Sequence, residues 1–391
     1  MAALLLAVLP SYAQKKEIIQ ARTYIKSGKD FDKADRLMVD LLKKNAANRE
    51  NPKIYVTLLD AVEGQYIQAN EKLYLKQKYD TAAFLNLTRR LYDIALSLDS
   101  IDARPNKQGR VKPEYRKENG EKLHSLRPNL YSGGTFHLRK NEYDQSFDFF
   151  SHYLDAATQP LFASYRYAET DKRMPQAAYW ATYCGYRMHD ADKTLRYAHQ
   201  ALSDTAKAKF ALQYMCEAYQ WQNRQDAYLE TLREGFRAYP EYPYFFPRLA
   251  DYYTDQGRND SLLIIADQGL AVNKESTLFL MAKSMALLHT DMYEECIAIS
   301  QQMINQNDTL AEPNFTIATC YLNQALALEQ LGEPRKYRKE IQLMYSKARP
   351  YMERYRQLMP DDRKRWAPAL YRIYLNLNLG KQFEEIDKLM R

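Results

Sequence analysis

A repeat of roughly 34 residues constrains the fold of this chain more than any other feature of its sequence. Its clearest copy covers residues 241–274, EYPYFFPRLADYYTDQGRNDSLLIIADQGLAVNK. In its first half, Phe246, Leu249 and Tyr253 follow the i, i+3, i+7 spacing of side chains on one face of a helix. This half is therefore predicted to form a short amphipathic helix.

A polar turn divides the copy into two halves. Gly257 is suited to the left-handed conformation at a helix end, and Asp260 is suited to capping the start of the next helix. The second half carries Leu262, Ala266 and Gly269 at helical spacing. Because neither helix buries enough apolar surface to be stable alone, the copies must stack on their neighbours.

Matching turns recur along the chain. Four of them lie roughly 34 residues apart, at Asp192-Lys193-Thr194, Gln225-Asp226-Ala227, Asp260-Ser261-Leu262 and Glu294-Glu295-Cys296. Weaker copies begin at Asp30, Lys78, Glu142 and Gly380. With this period and turn pattern, most of residues 15–391 resembles the tetratricopeptide repeat family.

The resemblance implies an all-α fold, a right-handed α-solenoid built from antiparallel helix pairs. In such a fold each repeat contacts mainly its neighbours, so the core extends in one dimension. The individual motifs are degenerate, since the large residue that opens the first helix is Leu130, Phe246 or Leu280 and not Trp. The resemblance therefore rests on the period.

The chain opens with an apolar run that ends in the small-x-small site Ser11-Tyr12-Ala13. This pattern predicts the end of a secretory signal peptide with cleavage after Ala13. The protein is then expected to be exported and to be periplasmic or associated with a bacterial cell envelope. The alternative is a frayed first helix of the repeats. No other stretch approaches the ~20 apolar residues of a membrane helix, so no membrane span is predicted.

Two segments interrupt the period. Residues 99–125 form a predicted polar insertion loop, rich in Pro, Gly and basic side chains such as Arg104, Lys107 and Arg116. Residues 159–175 form an irregular spacer whose aromatic side chains are expected to pack onto the repeats. The predicted order is therefore a signal-peptide remnant at 1–13, repeats at 14–98, the insertion, and repeats at 126–391.

Sequence motifs for chemistry are absent. No H-E-x-x-H zinc motif, Gly-x-Ser-x-Gly elbow, Walker loop or Rossmann glycine pattern occurs in the sequence. Gly133-Gly134 falls where such repeats need small residues for close helix packing. Cys184, Cys216, Cys296 and Cys320 lack C-x-x-C spacing and are expected to be free, buried thiols. We therefore predict no enzymatic activity, no metal, no cofactor and no small-molecule ligand.

Charge gives little indication of a nucleic-acid partner. The net charge is +7, and residues 335–365 carry 11 Lys or Arg against four Asp or Glu. Apolar residues are periodic within this stretch, so the charges are most simply the solvent-facing side of a helix. Nucleic-acid binding is not predicted, because no recognised binding motif accompanies the basic residues.

The resemblance also implies where a protein partner binds, because in this family the first helices of successive repeats line a concave groove. The residues at these positions are Tyr131, Tyr179, Tyr183, Tyr186, Tyr219, Tyr244, Asp251, Met281 and Met285. Tyr179, Tyr183 and Tyr186 share one helix face. The sequence leaves open whether this face lines a groove or belongs to the core between repeats. The Asn and basic residues of a carboxylate clamp are not evident.

The expected function is a non-enzymatic scaffold or adaptor of the bacterial cell envelope that binds a peptide or protein. One alternative is a chaperone-like holdase, which predicts weak and promiscuous peptide binding. A second alternative is an enzyme with a site near residues 99–122. This alternative predicts a convergent cluster of carboxylates or histidines in a pocket beside the insertion.

Overall fold

The computed structural model of the chain describes residues 8–105, 108–333 and 335–391, with side chains from residue 14 onward. Residues 1–7 of the predicted signal peptide and Lys107 of the predicted insertion lie outside this range. Within it the regular structure is helical and no strand occurs. The predicted all-α class is confirmed.

The chain divides into two compact units, Met1–Tyr228 and Leu229–Arg391. The first unit contains α1 (Val8–Ser27), α2 (Phe31–Lys44), α3 (Pro52–Tyr74), α4 (Thr81–Asp102), α5 (Arg116–Arg139), α6 (Tyr143–Asp155), α7 (Tyr167–Thr170), α8 (Met174–Arg187), α9 (Ala191–Arg196), α10 (Ala198–Ala201) and α11 (Ala208–Trp221). Helix α12 (Gln225–Ala238) spans the division. The second unit contains α13 (Phe245–Asp255), α14 (Asn259–Val272), α15 (Thr277–His289), α16 (Tyr293–Gln306), α17 (Ala311–Gln330), α18 (Arg338–Leu358), α19 (Arg363–Asn376) and α20 (Gly380–Met390).

Within each unit, consecutive helices pack against one another. In the first unit α1 packs on α2, α2 on α3, and so on through α5 and α6. In the second unit the same holds from α13 to α20. Since short turns join most of these helices, each chain reversal produces an antiparallel pair. The predicted tetratricopeptide-like helix pairing is confirmed.

The turns repeat with the period seen in the sequence. His189, Asn223, Gly257 and Asp291 all have a positive φ, at 56°, 56°, 63° and 59°. Each position follows the last by the same interval in the numbering, and each lies just after the end of a first helix. A left-handed residue at this place ends a helix by satisfying its last carbonyl groups. The period in the sequence therefore marks where the first helix of each pair ends. Gly, Asn and Asp suit these positions because they tolerate the left-handed conformation best.

Gly133 and Gly134 let α5 and α6 approach closely. A Cβ atom on Gly133 would lie 2.5 Å from the Phe149 ring, and one on Gly134 would lie 2.7 Å from the Phe150 ring. Both rings belong to α6 and are almost completely buried. The predicted packing role of this glycine pair is confirmed.

The predicted insertion is wrong at both ends, because its outer parts are helical. Helix α4 continues to Asp102 and α5 begins at Arg116, which leaves a short connection between them. Buried Asp99 holds the two helix ends together, since its carboxylate oxygens accept bonds of 2.7 and 2.9 Å from Arg116. Arg116, one of the basic residues that indicated a loop, begins α5 instead and pairs with Asp99 of α4.

The predicted spacer packs onto the first unit, as expected. Pro160–Tyr165 forms a 3-10 helix in which Leu161 and Phe162 are buried. The Phe162 ring stacks on the buried Tyr92 of α4, with 5.5 Å between centroids. The irregular backbone is therefore fixed by aromatic packing.

A buried arginine of α5 ties the same segment to the helices. The Arg127 guanidinium lies between two rings, 3.7 Å from the centroid of Tyr153 and 3.8 Å from that of Tyr167. It also forms an ion pair with Asp171, whose carboxylate accepts a bond from the Tyr153 hydroxyl as well. These hydrogen bonds lower the pKa of Asp171 against the opposing effect of burial.

All four cysteines are buried and free, as predicted. The Cys184 thiol donates to Ser146 Oγ at 3.3 Å, and burial raises its pKa to about 11. Because the thiolate is the reactive form, such a thiol is a poor nucleophile at neutral pH.

We expect the native chain to react slowly with a disulfide reagent such as DTNB. Unfolding in concentrated guanidinium without reductant should then release all four thiols to the reagent. The absorbance of the released chromophore measures both the rate and the count. A count of two thiols after unfolding would contradict the assignment of free cysteines.

Candidate partner-binding surfaces

Tyr131 lies on α5 and is half-buried. Its ring meets the edges of Phe150 and Tyr153 at 5.6 Å, and its hydroxyl donates to Gln176 Oε1 at 2.7 Å. The residue therefore joins α5 to α6 and to the first turn of α8.

The three tyrosines of α8 differ in exposure. Tyr179 is only 5% exposed, whereas Tyr183 and Tyr186 are half-buried. The Tyr186 ring stacks on Tyr214 of α11, with 4.3 Å between centroids. Tyr179 thus belongs to the core between neighbouring helices, and only Tyr183 and Tyr186 retain surface for a partner.

The sequence analysis missed the α11 side of this arrangement. Tyr214 packs against Tyr186, and Trp221 stacks on the same ring at 5.8 Å. These residues follow Tyr179 and Tyr186 by 35 positions each, close to the repeat period. An alignment of Tyr179 and Tyr186 with the next copy of the repeat could have identified Tyr214 and Trp221.

Tyr219 and Tyr244, also among the predicted partner-binding residues, are 9% and 5% exposed. Tyr219 shares the buried face of α11 with Leu212 and Cys216, at i, i+4, i+7 spacing. Tyr244 precedes α13, where its ring packs on the Arg248 guanidinium at 3.7 Å and is nearly buried. Both side chains are therefore largely packed against their neighbours, and little of their surface is open to a partner.

The second unit presents an apolar face on α15, formed by Leu278, Met281, Met285 and Leu288. Leu278 and Met285 are 47% and 40% exposed, and the other two are half-buried. The spacing of i, i+3, i+7 and i+10 places all four on one side of the helix. The opposite side of α15, with Phe279, is buried. Of the other predicted residues, Asp251 of α13 is exposed.

A pocket lies beside the connection between α4 and α5, where the enzyme alternative places its site. It has a volume of about 540 Å³ and is lined by Pro113, Arg116, Lys117, Gly120, Glu121, Pro160, Leu161, Ala163, Ser164 and Tyr165. Among these residues Glu121 is the one carboxylate, and no histidine lines the pocket. This pocket therefore lacks the convergent acid–base cluster that the alternative requires.

His152 of α6 has both ring nitrogens engaged. Nε2 lies 2.7 Å from Asp93 Oδ1 of α4, and Nδ1 lies 2.7 Å from the Asp148 carbonyl oxygen. Burial lowers the pKa of His152, but these two contacts outweigh burial and the pKa is raised above 6.5. The imidazole therefore acts as a structural link between α4 and α6.

A raised folded pKa means that the charged His152 favours folding. Its contribution is fully present below pH 6.5, the value of the unfolded chain, and is lost as pH rises through the folded pKa. We expect His152→Gln to lower the free energy of unfolding by about 1 kcal/mol at pH 5.5 and by less at pH 8. Urea titrations of both chains at these pH values measure the difference. An equal loss at both pH values would contradict the assignment.

In the part of the chain with described side chains, no group of three or more His, Cys, Asp or Glu residues is arranged to hold a metal ion. No described helix is both long and apolar enough to cross a membrane.

No protein-family model matches the chain. No curated protein sequence matches it either.

Solved structures with similar folds are tetratricopeptide repeat proteins. The C-terminal part of such a protein from Cytophaga hutchinsonii is 10% identical, with 66% of this chain and 93% of that chain covered and a TM-score of 0.42. The corresponding domain of P58(IPK) is 12% identical, with 94% and 98% covered and a TM-score of 0.27. The TPR2AB domain of yeast Sti1, solved as a complex with pHSP90, is 9% identical, with 68% and 97% covered and a TM-score of 0.25. At these TM-scores the fold assignment rests on the helix pairs described above.

Proposed function

We propose that the protein is a non-enzymatic scaffold that binds a protein segment through the apolar face of α15. The exposure of Leu278 and Met285 on one side of a helix whose other side is buried carries this proposal. A partner segment of complementary chemistry presents apolar side chains at similar spacing, as one face of a helix does.

Covering this face contributes part of the free energy of such an association. Fully burying a Leu or Met side chain is worth roughly 1.5–3 kcal/mol. Because each of the two side chains is already about half-buried, covering both contributes roughly 2 kcal/mol. Met281 and Leu288 extend the same face, and unbranched Met side chains adapt to varied partner surfaces. The face is therefore suited to be the centre of a moderate-affinity interface.

Two alternatives make different predictions. A holdase would bind many unfolded clients weakly, whereas a scaffold binds one or a few partners. An enzyme would require reactive groups that are free to act. The contacts of His152 favour a structural role, since both of its ring nitrogens are engaged. These observations support the scaffold over the enzyme.

The test is affinity capture after in-cell cross-linking, with Leu278→Ser/Met285→Ser compared with wild type. The control is Ile264→Ser/Leu343→Ser, which removes two other apolar side chains of the second unit, 57% and 50% exposed. We expect a discrete partner that is retained by the control and lost from the α15 variant. Equal loss from both variants, or retention by both, would exclude this face, and many weak clients would indicate the holdase.

We also propose that the protein is exported to a bacterial cell envelope. The apolar run and the Ser11-Tyr12-Ala13 site support this proposal. Cell fractionation with N-terminal sequencing of the mature chain tests it. A chain that begins at Gln14 outside the cytoplasm is expected. A chain that keeps residues 1–13 in the cytoplasmic fraction would contradict the proposal.

A further inference from the structure

Four basic side chains of residues 335–365 form ion pairs within the second unit. The pairs are Lys336–Glu333, Arg349–Glu353, Arg356–Glu385 and Arg365–Glu312. Arg335 and Arg338 form no ion pair with any other described residue and are exposed. Two uncompensated positive charges therefore lie just before and at the start of α18.

These two arginines line a cavity of about 540 Å³. Its other lining residues come from α17, α18, α19 and the turn after α19, and they are Glu329, Ile341, Gln342, Leu375, Asn376 and Asn378. The lining thus combines two guanidinium groups, three amides and two apolar side chains. A volume of this size lies within the range of small-molecule sites.

The one carboxylate in the cavity does not neutralise the two arginines. Glu329 Oε2 accepts a bond of 2.5 Å from Arg372, and Glu329 Oε1 accepts one of 2.8 Å from the Tyr345 hydroxyl. Burial and this second bond raise the pKa of Tyr345 to about 12, so its hydroxyl remains a donor. Both carboxylate oxygens of Glu329 therefore already accept bonds from side chains of α18 and α19.

The amides are placed to bind neutral polar groups. Asn376 Nδ2 donates to the Arg372 carbonyl oxygen at 2.9 Å, which leaves Asn376 Oδ1 as an acceptor. Asn378 has a positive φ of 54° at the end of α19 and is fixed there by the turn. Amide side chains of this kind bind hydroxyl groups, with a donor and an acceptor on each.

We propose that this cavity binds a small anionic molecule that carries a carboxylate or phosphate group and hydroxyl groups. The planar guanidinium forks of Arg335 and Arg338 bind the oxyanion through paired N–H donors. Gln342, Asn376 and Asn378 bind the hydroxyl groups, and Ile341 and Leu375 contact the carbon skeleton. This site goes beyond the proposed scaffold function and departs from the sequence prediction of no small-molecule ligand.

The test is isothermal titration calorimetry of the full chain with inorganic phosphate, glucose 6-phosphate, glucuronate and uncharged glucose. We expect saturable binding of at least one anionic probe and none of glucose. Tighter binding of the sugar anions than of inorganic phosphate would indicate that the amides bind hydroxyl groups. Binding of phosphate alone would reduce the site to an oxyanion site and overturn its assignment to a hydroxylated ligand.

The variant Arg335→Gln/Arg338→Gln should weaken binding at least tenfold. The matched control Lys339→Gln/Lys364→Gln also removes two positive charges that form no ion pair among the described residues, but neither lysine lines the cavity. Unchanged affinity in this control supports a defined site, and an equal loss in both variants would indicate general electrostatic attraction and overturn the proposal. Absence of binding by wild type would also overturn it. Far-UV circular dichroism checks folding, and the single variants replace the double variant if it unfolds.

Discussion

Replacing Arg127 by Ala is expected to lower the free energy of unfolding by about 3–5 kcal/mol, as when one partner of a buried ion pair is removed. The loss follows from the position of the guanidinium between the rings of Tyr153 and Tyr167, at 3.7 and 3.8 Å, and from its ion pair with Asp171. The variant would leave Asp171 partly buried without its cation. It would also release residues 159–175 from α5.

Equilibrium urea unfolding followed by circular dichroism measures this loss. The control is Arg166→Ala, because Arg166 lies in the same segment and pairs with Glu169 where both side chains are exposed. An exposed pair contributes at most about 1 kcal/mol. Similar losses in Arg127→Ala and Arg166→Ala would contradict the structural role of the buried arginine.

The second large effect is expected for Gly185→Val in α8. A Cβ atom at this position would lie 2.3 Å from the Thr194 backbone nitrogen and 2.6 Å from the Lys193 carbonyl carbon. Backbone atoms cannot move aside as the end of a side chain can, so α8 and α9 must separate. We expect a loss of about 3 kcal/mol in the free energy of unfolding, at the upper end of typical overpacking effects.

Thermal unfolding of Gly185→Val and of Gly380→Val distinguishes this clash from a general cost of replacing glycine. Gly380 begins α20, and a Cβ atom there meets no other atom within 4 Å. The control should change the free energy of unfolding by less than about 1 kcal/mol. If Gly380→Val destabilised the chain as much as Gly185→Val, the close contact between α8 and α9 would not be the cause.

The repeat could be predicted because it follows from local chemistry. Polar turns with Asn, Gly or Asp mark helix ends in any context, and the structure places left-handed residues at Asn223, Gly257 and Asp291. The apolar spacing within each copy is equally local. These two signals establish the helix pairs without knowledge of any contact between them.

The candidate site was harder to predict because it depends on helix register. One residue along a helix turns the side chain by about 100°, so a register error of one or two positions moves a residue from the surface to the core. Among the predicted residues, Tyr219 is 9% exposed and Met285 is 40% exposed. Tyrosine is amphipathic and occurs on both sides, so its identity could not decide the question.

The insertion was misjudged for a different reason. Asp99 and Arg116 look like parts of a charged loop in the sequence, but they form an ion pair that joins the ends of two helices. Such a pair depends on the approach of separate helices. Charge composition alone therefore overestimated the length of the irregular segment.

Site-specific photo-cross-linking in growing cells tests the scaffold function most directly. A photoreactive amino acid replaces Met285 on the apolar face of α15 or, in the matched control, Ile264 on α14. The account predicts one discrete cross-linked adduct from position 285 and none from position 264. No adduct from position 285, or the same adducts from both positions, would contradict partner binding through α15.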